Sequence, residues 1–187
     1  VTWINRHMAE NNPDLREKIV ENRGTWKKLQ LKIPGLREYR NLEDLRAADQ
    51  LLRKQVSDNI NESKSKMEDL RKAITAKGDF GNLTLVGDTI SQIQQISGIV
   101  QHSQQGSAGI SPNIKIDGGV LNKLYEYDFN FVNTAEQIFS ACSNSISEYN
   151  SGKSIQDITS NINSMLDALD NSWRQRLESV ENILVTK

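Results

Sequence analysis

Few residues in this chain are of the kinds that usually carry chemistry, and each shortage closes off a class of protein. There is one cysteine, Cys142, in 187 residues. A lone cysteine excludes an intramolecular disulfide and fits a reducing compartment. It also falls on an apolar stripe, as a small core residue does. His7 and His102 stand without a second histidine or cysteine at ligand spacing, which argues against zinc. Gly78, Gly81 and Gly87 lack the Lys-Ser/Thr ending and the leading strand of a phosphate loop. The run Gly106–Gly109 is equally weak as an anion site. The expectation is that no intrinsic metal or nucleotide cofactor is bound.

Long apolar runs are absent too. None approaches the roughly 20 residues of a membrane span, and the opening VTWINRHMAE carries no signal-peptide core. A cytoplasmic protein is expected, with any membrane association made through a partner. Aromatics are 6% of the chain. Tyr39-Arg40 and Trp173-Arg174 do not form the basic-aromatic track of a single-strand nucleic-acid binder.

What the chain does have is helical periodicity. Glycines and the three prolines fall in clusters that punctuate long amphipathic stretches. Asn12-Pro13-Asp14 reads as a helix start, with a run through Glu21 that continues past Gly24 towards Leu31. Pro34-Gly35 interrupts it. Apolar residues at spacings of three, four and seven then predict four main helices, at roughly 42–77, 83–105, 118–149 and 154–185. Gly78 and Gly152 stop the first and third, and Ser154 with Asp157 is a capping-box opening for the last. The fold expected is all-α: an elongated antiparallel bundle of four long helices over 41–187, preceded by a short N-terminal helical segment and Pro-Gly hinge over 1–40.

Charge is unevenly placed. The total is −1, yet residues 1–54 carry a net +4 and the remainder −5. Two acids break the apolar pattern. Counting about 100° per residue from Leu42, Asp49 falls close to the centre of its stripe, with Arg46 and Arg53 at the stripe's edge. Asp128 holds the equivalent place between Leu124-Tyr125 and Phe131-Val132. Either both acids lie at helix ends open to water, or they belong to an Arg–Asp network across two helices, with Asp128 accepting from Arg46 or Arg53. The arginines would keep both acids ionised, the wrong direction for a general acid.

Several of these residues form a recognisable pattern. Ile33-Pro34-Gly35, Tyr39-Arg40, Glu43, Arg46, Ala48-Asp49 and Leu52-Arg53, followed by Gly106–Gly109, Lys115-Ile116-Asp117, Leu121, Leu124-Tyr125 and Asp128, resemble an uncharacterised prokaryotic family of small helical proteins. Glu38 stands where that family has a glycine, and the glycine loop lacks its aromatics. The resemblance covers about residues 30–150 and implies association with membrane-stress and membrane-organising proteins of the band-7 and phage-shock type. It implies no known activity.

The function expected is therefore a non-enzymatic scaffold or adaptor that acts through protein–protein contacts, with self-association among the options and no nucleic-acid partner. Trp3, Trp26, Lys27, Lys28, Tyr39 and Arg40 are the candidate interaction surface. The alternative is a peripheral membrane binder that uses this basic, Trp-containing segment, with weak direct contact at most. An enzyme would need Asp49 and Asp128 to face a cleft.

Overall fold

The computed structural model describes residues 24–39, 42–103 and 118–185. It is all-α, with no strand among the described residues. Helix α1 occupies 24–32 within them, followed by α2 (Leu42–Ala76), a 3-10 turn (Phe80–Asn82), α3 (Leu83–His102), α4 (Gly118–Asn150) and α5 (Ile155–Val185).

The stops are made as the sequence implies. At the end of α2, Gly78 takes φ +73°. Its N–H bonds the Thr75 carbonyl and that of Asp79 the Ile74 carbonyl, both at 3.0 Å. This is the paired closure that satisfies the last carbonyls of a helix and needs a left-handed residue. Gly152 ends α4 the same way, through Tyr149 and Glu148. Ser154 starts α5: its Oγ accepts from the Asp157 N–H at 3.1 Å. Pro34-Gly35 forms a tight turn closed by Leu36 N–H donated to the Ile33 carbonyl.

One boundary differs from expectation. Helix α3 ends at His102 rather than near 105, because Ser103 turns to extended backbone (ψ 138°). Side chains from two other helices hold it there, as described below.

Around the bundle, α2 lies between α3 and α4, and α5 lies between the same two. Consecutive helices α2–α3 and α4–α5 run antiparallel. The neighbours without a short link run parallel. Lys77 at the end of α2 meets Asn150 at the end of α4, and Thr89 and Gln92 on α3 meet Asn163 and Asp167 on α5 in the same order.

The core is one continuous cluster. It includes Val56, Ile60, Met67 and Leu70 from α2, Val86, Ile93 and Val100 from α3, Phe131, Ala135, Ile138 and Cys142 from α4, and Ile158, Leu166 and Trp173 from α5. Leu29, Ile33, Leu36 and Tyr39 join the same cluster, so the N-terminal segment packs onto the bundle. Side chains of Leu42, Leu121, Val180 and Leu184, expected on the stripes, lie outside those described.

Candidate functional site

At one end of the bundle, five segments meet around four charges. Asp49 and Arg53 come from α2, Asp128 from α4, and Arg176 from α5. Tyr39 arrives from the extended stretch after the Pro-Gly turn, and Ser103 from the exit of α3.

Asp128 is fully buried and Arg176 nearly so, at 0% and 2% exposure. Arg176 Nε donates to Asp128 Oδ1 and its Nη1 to Asp49 Oδ1, each at 2.5 Å. The other Asp128 oxygen accepts from Tyr39 Oη at 2.7 Å. The other Asp49 oxygen accepts from Arg53 Nε at 2.7 Å. Every oxygen of the two carboxylates is thus taken by a guanidinium or a phenol.

Arg53 also reaches the end of α3. Its Nη1 donates to the Val100 and Ser103 carbonyls at 2.7 Å and to Ser103 Oγ at 3.1 Å. A cation on the last carbonyls caps a helix C-terminus and favours its dipole. The Trp173 indole N–H donates to the same Ser103 Oγ at 3.0 Å. These contacts explain why the chain leaves α3 early. The Trp173 ring also lies against both guanidiniums, 4.7 Å from Arg53 and 5.4 Å from Arg176, and stacks on Phe131.

Burial is the largest influence on Asp128 and pushes its carboxyl upward from the ordinary value. The Arg176 charge and the hydrogen bonds from Tyr39 and Arg176 pull it partly back. The arginine pairing expected to keep both acids ionised is opposed at Asp128 by desolvation, the larger of the two influences on its carboxyl. Burial acts against the Arg176 charge as well. There the two carboxylates prevail and hold the guanidinium protonated above its usual range.

The sequence-predicted network is therefore real in three of its members. Asp49, Arg53 and Asp128 come together, on the second of the two readings left open. The bridge itself is corrected: it is Arg176, and Arg46 is exposed on α2. Arg176 carried a signal. Stepping by seven from Ile155 through Ile162 and Leu169 lands on it, a core position filled by a cation.

The candidate interaction surface divides. Tyr39 is a correction, being 1% exposed and bonded to Asp128. Its N–H also donates to Tyr125 Oη at 3.1 Å. Trp26 turns inward as well, half-buried with its ring 5.1 Å from Tyr125 and 6.1 Å from Tyr39. A Trp-Tyr-Tyr cluster near a Pro-Gly turn is a packing motif that binds α1 to the bundle. Lys32 secures it by an ion pair with Glu136. Lys27 and Lys28 are exposed, with Leu31 beside them 86% exposed. Trp3 and Arg40 lie outside the described residues.

Elsewhere, a shallow cleft of about 650 Å³ lies where α2 meets α3, lined by Arg71, Lys72, Thr75, Ala76, Leu83 and Thr84. No acid–base pair lines it. Among the described residues no three His, Cys, Asp or Glu side chains gather as metal ligands, and no helix is long and apolar enough to cross a membrane. Cys142 is buried, its thiol pushed up to about 12 by burial and drawn back slightly by a hydrogen bond with Ser63.

The fold and the charged node define an all-α bundle protein whose strongest chemical groups are turned on one another. No family model, curated protein or solved structure matches this chain.

Proposed function

We propose that this protein is a non-enzymatic helical scaffold or adaptor that works through protein–protein contacts in the cytoplasm. One observation carries the reading: all four oxygens of Asp49 and Asp128 are occupied by Arg53, Arg176 and Tyr39. A raised carboxyl such as Asp128 suits a general acid only where a substrate can reach it. At 0% exposure, its role is to fix how the helices meet. The resemblance in sequence adds a setting, membrane-stress or membrane-organising assemblies, in which a partner supplies the membrane contact.

Among the described residues two large apolar side chains stand in the open, Leu31 at 86% and Phe80 at 65% exposure, and they are the natural contact points. The test is affinity capture from the native host with the wild-type chain and with a Leu31→Asp, Phe80→Asp variant. A defined partner bound by the first and lost by the second, with helicity unchanged, is the expected result. Turnover of a small-molecule substrate that stops on Asp128→Asn would replace this reading with an enzymatic one.

A second reading has one observation in its favour. Lys27, Lys28 and Leu31 share the outer side of α1, as on a helix resting on an anionic membrane surface. The inward turn of Trp26 takes away one of the two tryptophans this reading draws on; Trp3 lies outside the described residues. Weak, salt-sensitive sedimentation with anionic vesicles is the expected outcome. Tight binding that survives high salt would favour the membrane reading.

A further inference from the structure

Two parts of the chain that are far apart in sequence end on the same string of hydrogen bonds. From the N-terminal arm, Tyr39 Oη donates to Asp128. Asp128 is held by Arg176, Arg176 also by Asp49, and Asp49 by Arg53. Arg53 closes on the Val100 and Ser103 carbonyls, where the chain leaves α3. Each link uses a different atom of a shared group, so none can move without disturbing the next. Trp173 lies against both guanidiniums and fixes the spacing between them.

We propose that this string is a conformational coupling device: it makes the seating of the N-terminal arm (residues 24–39) and the geometry of the α3 exit at Ser103 depend on each other. Withdrawing Tyr39 leaves a buried carboxylate oxygen without its donor. Arg176 is the cation able to compensate, and it does so by shifting towards Asp128 and away from Asp49. Asp49 then draws on Arg53, which relaxes its hold on the two carbonyls. The reverse follows by linkage, since coupling between two sites is reciprocal. A partner that grips the arm would reshape the end of α3, and one that grips the α3 exit would tighten or free the arm. The proposal is independent of whether the protein is a scaffold or a surface binder.

Two backbone amides report the two ends. The Ser103 N–H bonds the Ile99 carbonyl at 3.0 Å, and the Tyr39 N–H bonds Tyr125 Oη at 3.1 Å. The test is amide hydrogen exchange on the full chain. Tyr39→Phe is expected to speed exchange at Ser103 by about fivefold or more. Ser103→Ala, which removes the hydroxyl that Arg53 and Trp173 share, is expected to speed exchange at Tyr39. Tyr149→Phe cuts a bond to Asp79 at the opposite end of the bundle and should change neither. An unchanged Ser103 amide in Tyr39→Phe overturns the proposal. So does an equal rise at the Asp79 amide, which would mark a general loosening. Should Tyr39→Phe fail to fold, Ser103→Ala decides alone: a rise at Tyr39 supports the coupling and no rise overturns it.

Discussion

Removing Arg176 and removing Asp49 are not equivalent, although the two side chains touch. Arg176→Ala leaves the fully buried Asp128 without a cation and Asp49 with Arg53 alone, and is expected to cost about 3–5 kcal/mol. Asp49→Ala leaves Arg176 on Asp128 and Arg53 on the α3 carbonyls, so its cost is smaller. Asp69→Ala, exposed on α2, should stay within about 0.5 kcal/mol. Urea unfolding of the three variants checks the order. The tyrosine adds a pH signature. Burial first, and then the neighbouring Asp128 carboxylate, push the Tyr39 hydroxyl well above its ordinary value. Its contribution to stability is complete below the unfolded-state value near 10 and is lost as pH rises towards the folded value. The urea midpoint should therefore fall as the pH rises above about 10, less steeply in Tyr39→Phe. Cys142 offers a separate gauge. With its thiol raised to about 12, labelling by a thiol reagent at mildly alkaline pH should wait for the core to open.

At the scale of elements, the helix ends were more legible than their partners. Gly78 and Gly152 announced two stops and Ser154 a start, because capping chemistry is local and each motif completes itself within about six residues. Gly78→Ala should cost about 1–2 kcal/mol, since a side chain resists the left-handed backbone that this stop requires. Gly87 lies inside α3 with open space around it. Gly87→Ala should be neutral or gain up to about 1 kcal/mol, and thermal melts of the pair would separate the two effects. The end of α3 was less legible. Nothing in residues 100–105 announces a stop, because Arg53 and Trp173 impose it from other helices. Tyr39 was misplaced for a related reason: beside Arg40 it reads as surface, and only the turn at Pro34-Gly35 carries it into the node.

For the molecule as a whole, the apolar stripes were enough to give the all-α class and four helix spans to within a few residues. They could not say which helices lie side by side. Stripe spacing is indifferent to whether α2 neighbours α4 or α5. Asp49 and Asp128 stood out as acids in apolar places, and they do meet. Their cation was hidden by its surroundings, since Arg174-Gln175-Arg176 looks like any solvated run until heptads are counted back to Ile155.

The node contains two carboxylates and two guanidiniums, and so it sums to zero over a few ångströms. Sealed from counterions, such a group gives dissolved salt nothing to screen. Ionic strength can act on the exposed pairs, such as Lys54 with Asp58 on α2 and Lys153, just past α4, with Glu148 in its last turn. Each of these contributes little. Added sodium chloride should therefore leave the urea midpoint of the wild-type chain nearly flat. In Arg176→Ala the balance is broken, and the midpoint should become visibly salt-dependent.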